Sequence, residues 1–185
     1  MFGVLPNYAT VERNDIVQPM DAKTAFRLTA LGSFDPYVFP FVAFTAGLAD
    51  LRSRGSSSRQ SYAKQYATSF ADNTLGNFMT SAIMPTVLKQ DPRYFVLGEG
   101  GVVHRAMYAL SRSAVTRSRS GRPQFNASEI AGNGIGAGIS NVYHPVADRT
   151  VSGTMYRWGT QVLWDTLTNE AKEFWPDIRQ RLHKH

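Results

Sequence analysis

Every fourth residue from Ser128 to Ser140 is serine or glycine. Ser128, Gly132, Gly136 and Ser140 stand at these positions inside the run SEIAGNGIGAGIS. A helix turns once per about 3.6 residues, so the four positions line one face and form a strip almost without side chains. Such a strip lets a second backbone approach closely. Glycine in a helix interior costs about 1 kcal/mol relative to alanine, so Gly132, Gly134, Gly136 and Gly138 carry a penalty that close packing must offset. The rival reading is a phosphate loop, because Gly132-x-Gly134-x-x-Ala137 fits the dinucleotide fingerprint. That fingerprint needs a preceding strand and an acid about twenty residues on, and no strand pattern precedes Gly132. Helix packing is the preferred reading.

Helical spacing covers most of the chain. Asp21 is placed to cap a helix from about Ala22 to Leu31. Residues 37–52 read as an apolar helix with Pro40 in its first turn, where a missing N–H costs little. Ser53-Arg54-Gly55-Ser56-Ser57-Ser58 is a loop. From Arg59 to Lys89, Ala67, Ala71, Leu75, Phe78 and Ala82 recur at three- and four-residue steps, predicting a core-facing stripe. Pro85 is expected to kink or end that helix, and Asp91-Pro92 to stop it. Gly98–Gly101 is a turn. Val102–Arg117 reads as helix, with Val103, Met107, Leu110 and Ala114 on one face, and Ser118–Pro123 as a loop. Asn126 or Ser128 opens the glycine-rich helix, which reaches about Tyr143 before His144-Pro145. Asp148 starts a last helix to Trp175, ahead of Pro176, roughly 42 Å long at 1.5 Å per residue. Only Tyr94–Leu97 reads as a short strand. The expected fold class is all-α, a single-domain bundle of five or six helices. Residues 1–20 form an extended arm, 21–178 the helical domain and 179–185 a charged tail.

A length of 185 residues suits one domain. With 43% apolar and 18% charged residues, the chain is too apolar for a disordered protein. A mean hydropathy of −0.26 is too polar for a membrane-spanning bundle. The chain has no cysteine, which excludes a disulfide scaffold, a thiolate zinc site, an iron–sulfur cluster and a cysteine nucleophile. The longest strongly apolar stretch without charge, Pro36–Ala49, falls short of the roughly 20 residues that span hydrocarbon, and Pro40 interrupts it. No transmembrane helix is predicted. Met1-Phe2-Gly3 lacks a basic leader region, so the chain reads either as cytosolic or as a mature chain whose leader has been removed.

Lys and Arg number 20 against 14 Asp and Glu, a net charge of +6. The positive charge is clustered. No acid stands between Glu99 and Glu129, where Arg105, Arg112, Arg117, Arg119 and Arg122 all occur. None stands between Asp50 and Asp72, where Arg52, Arg54, Arg59 and Lys64 occur. Such patches attract phosphate, on nucleic acid or on anionic lipid headgroups, although solvated loops share this texture. No helix-turn-helix or RNA-binding signature accompanies them.

Several polar residues interrupt apolar helices: Asp72, Asn73, Asn77, Glu129, Asn133 and Asp165. One reading is a hydrogen-bonded network that fixes helix register, with Arg105 or Arg112 pairing Glu129 or Asp72. The other is an active site with Asp72 and Glu129 as acid and base. His104 and His144 are forty residues apart and no histidine pair has metal-ligand spacing, so neither a metal nor a cofactor is expected. Arg122-Pro123 and His144-x-x-x-Asp148 match two fragments of a phosphatidic-acid-phosphatase-like signature. Val115 stands where that signature has lysine, and Ala137 and Gly138 where it has Ser-Arg.

Several segments together resemble a family of helical envelope proteins widespread in acidobacteria. They are Gly3–Tyr8, Gly76–Thr80, Gln90–Phe95, Ser128–Asn133, Ile139–Tyr143 and Lys172–Ile178. The resemblance spans nearly the whole chain and brings no activity with it. It implies location in the bacterial envelope, periplasmic or outer-membrane associated, and a secretory leader ahead of a truncated Met1. The leading expectation is a non-enzymatic structural or membrane-surface protein, touching anionic headgroups, a protein partner or a second copy of itself. The alternatives are a small lipid or phosphoester hydrolase using Asp72, Glu129 or His144, and a nucleic-acid-binding module.

Overall fold

The computed structural model describes residues 9–13, 15–17, 20–53 and 61–182. Its helices are α1 (Ala22–Ser33), α2 (Val38–Ser53), α3 (Tyr62–Phe78), α4 (Met84–Leu88), α5 (Val102–Ser111), α6 (Ala127–Ser140) and α7 (Val151–Leu182). A π-turn, Met79–Ile83, joins α3 to α4, so the two form one rod. Of the described residues 69% are helical and 8% lie in strands, and the chain is an all-α, single-domain bundle. The caps follow from sequence. The Asp21 carboxylate accepts from the Thr24 N–H at 2.7 Å, and the Asn126 side chain accepts from the Glu129 N–H at 3.1 Å.

Among the described residues, five short strands form two small sheets. β1 (Thr10–Val11) pairs in parallel with β3 (Tyr94–Phe95). β2 (Gln90–Asp91), β4 (Val115–Ser118) and β5 (Pro123–Phe125) form an antiparallel sheet in the order β2-β4-β5. Thr10 lies opposite Tyr94, and Val115 opposite Phe125.

The glycine strip packs within the chain. A Cβ on Gly132 would stand 3.1 Å from the Met79 carbonyl carbon and 3.2 Å from Thr80 Cα, so α6 meets the π-turn backbone to backbone. At Gly136 the nearest atom would be Gly76 Cα at 3.8 Å, which is ordinary contact. The two serines close the strip with hydrogen bonds. The Ser128 hydroxyl and N–H both donate to Gln90 Oε1. The Ser140 hydroxyl donates to the Ala137 carbonyl and accepts from Arg157 Nε at 2.9 Å. A strand, β5, does precede this run, but Gly132 and Gly134 lie inside the helix and not at a strand–helix turn. The dinucleotide reading therefore fails.

Several boundaries differ from expectation. Of the expected stripe, Ala82 is buried, Ala71, Leu75 and Phe78 are half-buried and Ala67 is exposed, while the buried residues of α3 itself are Thr68 and Gly76. The aromatic rings of this rod pack sideways instead: Phe70 against Phe34 and Phe39, and Phe78 against Phe26. The rod widens ahead of Pro85. The Met84 N–H donates to Met79 O, five residues back, and Pro85 then starts α4 without needing a donor.

The segment read as one helix over 102–117 ends at Ser111 and becomes β4. Asn126 takes the carbonyls that a longer helix would use: its side chain donates to Arg112 O and its N–H to Ala114 O. The last helix begins at Val151, after a 3₁₀ turn at Val146–Asp148, and runs through Pro176 to Leu182. Arg105 donates to the Glu173 carbonyl at 2.6 Å and steadies the turn before the proline. Two expected appendages are tied down where they are described. Val11 is buried in β1, and Arg179 pairs with Glu12 at 2.9 Å, so residue 179 continues α7 and is not tail. His183 and His185 lie outside the described residues.

Candidate functional site

Helix α5 is inside out. An amphipathic helix normally buries its apolar stripe. Here the buried residues are Arg105 and Ala109, while Val103 is 77% and Met107 61% exposed, with Val102 and Leu110 beside them. The cause is a polar anchor. Arg105 Nε donates to Glu173 Oε1 at 2.9 Å and its Nη1 to Asp177 at 2.5 Å. The Glu173 side chain is fully buried and also accepts from Tyr94 Oη, Leu97 N and Gly98 N at 2.9–3.0 Å. Gly98 holds φ at +68°, which aims its N–H at the carboxylate. Burial and the Glu173 charge push the Tyr94 hydroxyl far above its usual range. With Arg105 drawn inward, the apolar stripe faces out.

This corrects two expectations. Arg105 pairs neither Glu129 nor Asp72, and it is neutralised and buried, so it is not an anion-contact residue. The other four arginines sit on and beside the β4–β5 hairpin. Arg119 and Arg122 are exposed at its turn, where the Arg119 N–H donates to the carbonyl of exposed Lys89. Arg112 and Arg117 are half-buried. Among the described residues no carboxylate lies within ion-pair distance of Arg112, Arg117, Arg119 or Arg122. Of the second cluster, Arg52 stacks on Tyr156, and Arg54 and Arg59 lie outside the described residues.

Behind the hairpin lies a polar cavity of about 60 Å³. Its walls include Thr80 and Ser81 of the π-turn, Arg93, Arg112, Arg117 and Asn169, with Glu129 at one side. Arg93 is engaged by Asp91, Nε to Oδ1 at 2.9 Å and Nη2 to Oδ2 at 2.6 Å. A second, larger groove of about 410 Å³ lies between α6 and α7, bordered by Phe125, Ile130, Ile135, Met155 and Trp158. It contains no titratable side chain.

The two carboxylates proposed as an acid–base pair belong to different clusters. Asp72 accepts from Tyr143 Oη at 2.7 Å and lies 2.8 Å from His144 Nε2. Burial and the Asp72 charge push the Tyr143 hydroxyl upward. No hydroxyl among the described residues hydrogen-bonds the other ring nitrogen of His144. Glu129 faces Asp165 instead. Asn133 Nδ2 donates to both carboxyls, each at 2.9 Å. Burial, then the Asp165 charge, raise Glu129 well above the usual carboxylate range. Burial lowers the nearby Lys172 ammonium, and Asp165 and Glu129 oppose that shift.

These directions give a pH prediction. Folded Glu129 keeps its proton where the unfolded chain has lost it. Its contribution is therefore complete below the ordinary carboxylate pKa and is lost as pH rises through the raised folded value. Lys172 has the opposite sign: its contribution is complete above the ordinary lysine pKa and lost as pH falls through its lowered value. In thermal melts at pH rising from the ordinary carboxylate pKa, Glu129→Gln should lose less stability than wild type. A parallel decline in both proteins would contradict the assignment.

Among the described residues no three acidic or histidine side chains group to hold a metal ion, and no helix is long and apolar enough to cross a membrane. No family model, curated protein or solved structure matches the chain.

Proposed function

We propose that the protein is a non-enzymatic, membrane-surface protein of the bacterial envelope. In this reading α5 rests on an anionic leaflet and the β4–β5 hairpin holds its headgroups. The observation that carries it is the outward apolar stripe Val103-Met107-Leu110 next to arginines without carboxylate partners. Apolar side chains entering the headgroup boundary supply depth, and basic side chains supply charge, about 1 kcal/mol each near an anionic surface. The same stripe in contact with water alone would be an exposed liability.

Flotation with anionic and neutral vesicles tests the reading. Binding is expected with anionic vesicles, weakening in high salt. Each apolar side chain fully buried stabilises by about 1.5–3 kcal/mol. Val103→Asp with Met107→Asp should therefore reduce partitioning by about tenfold or more, without loss of helix content. Equal flotation of the double variant and wild type would sink the reading. Salt-steep binding to DNA with no flotation would favour a nucleic-acid module instead.

A further inference from the structure

The geometry points to an oxyanion site in the polar cavity behind the hairpin, where Arg112 and Arg117, with Ser81 and Asn169, hold a phosphate or a phosphate monoester group. This goes beyond the surface role of α5 and does not depend on that helix reaching a bilayer.

Three features of the cavity argue for it. The first is charge. Asp91 neutralises Arg93, which leaves two guanidinium groups on the walls with no carboxylate at ion-pair distance among the described residues. Half-burying such groups is costly unless an anion joins them. Glu129, also on the wall, is not at ion-pair distance from either guanidinium: it accepts from Asn133 Nδ2 at 2.9 Å, and burial and the Asp165 charge favour its neutral form.

The second is preorganisation. Arg117 Cζ lies 4.2 Å from the Phe95 ring centroid, Arg93 Cζ 5.7 Å from the same centroid, and Arg112 Cζ 4.6 Å from that of Tyr108. A stacked guanidinium keeps its in-plane N–H edges for bidentate contact with a tetrahedral oxyanion. Arg112 spends two donors on the Ser111 hydroxyl, and Arg117 spends none on another described side chain. Ser81 and Asn169 add polar groups that make no side-chain hydrogen bond among the described residues.

The third is size. A water-sized group needs roughly 10–15 Å³, so about 60 Å³ accommodates roughly four to six such groups. That suits one phosphate inside the cavity. A monoester would leave its organic part outside.

Calorimetric titration of the full chain with inorganic phosphate tests the site. One saturable event is expected, weakened about tenfold or more by Arg112→Met and by Arg117→Met. Arg119→Ser with Arg122→Ser at the exposed turn should leave it unchanged. Phosphate should also raise the wild-type melting temperature. If the methionine variants fail to fold, Ser81→Asp, which sets a fixed negative charge on the wall, should abolish that rise. A second arm identifies the source. Binding to phosphatidate vesicles that Arg112→Met abolishes, with no response to inorganic phosphate, assigns the site to a lipid headgroup. No response in either arm would overturn the proposal. So would phosphate binding that is lost in the Arg119/Arg122 variant and kept in the cavity variants.

Discussion

Glu173→Ala is expected to lower folding stability by about 3–5 kcal/mol, the loss typical of breaking a buried ion pair. That is a large part of the 5–15 kcal/mol that holds an ordinary domain together. Truncation would strand four donors at once: Tyr94 Oη, Leu97 N, Gly98 N and Arg105 Nε. These donors come from β3, the following turn and α5, so the carboxylate of α7 ties three segments to one point. Arg105→Ala should cost a similar amount, because it leaves Glu173 buried with its charge uncompensated. The pair Arg105→Met with Glu173→Leu should cost less than the sum of the two alanine variants, since neither charge remains. Urea unfolding followed by circular dichroism measures all four proteins. A loss under about 1 kcal/mol for Glu173→Ala would show that the knot does not hold the fold.

The same knot sets the surface. If Arg105 is what turns α5 over, its removal frees the helix to rotate and to bury Val103 and Met107. Arg105→Ala should then lose vesicle binding although Arg105 itself is buried.

Gly132→Leu is expected to disrupt the bundle, and Gly132→Ala to cost about 1–3 kcal/mol by overpacking. At 3.1–3.2 Å a Cβ meets Met79 and Thr80 backbone, which cannot swing aside as a side-chain end would. The rest of α6 provides the controls. Gly136→Ala adds a methyl at ordinary contact distance and should be close to neutral, while Gly136→Leu should disrupt the contact. Gly138 has nothing within 4 Å, so Gly138→Ala should gain up to about 1 kcal/mol from helix propensity alone. Melting temperatures in the order Gly138→Ala, wild type, Gly132→Ala would support the backbone contact. A Gly132→Ala variant as stable as wild type would remove it.

The strip was legible because a four-residue period of small side chains has one inexpensive use in water. What it packs against was not, since Gly76, Met79 and Thr80 lie some fifty residues away. Of the spacing Val103-Met107-Leu110-Ala114, the first three mark one apolar face of α5, and Ala114 falls in the turn after it. Periodicity gives a face, however, and not the direction in which it points. That direction depends on Glu173, which stands between Lys172 and Phe174 in a stretch that reads as a charged helix end. The hairpin reads as helix and loop in the sequence because strands of three or four residues carry too little period to compete with a helical stripe. The arginine cluster could be read from the missing acids. The cavity that joins Arg112 and Arg117 to the π-turn could not, because it is assembled from five separated segments. Asp72 and Glu129 were correctly seen as polar insertions in apolar helices, but their partners proved to be His144 and Asp165 and not arginines.

The absence of cysteine gives direct access to the orientation of α5. Met107→Cys carrying an environment-sensitive fluorophore reports whether that face enters a bilayer, and Ser152→Cys on exposed α7 serves as the control. On adding anionic vesicles, the label at position 107 should shift to the blue and brighten while the label at 152 stays unchanged. A label at 107 that remains water-like, on protein that floats with the vesicles, would contradict the membrane-facing helix.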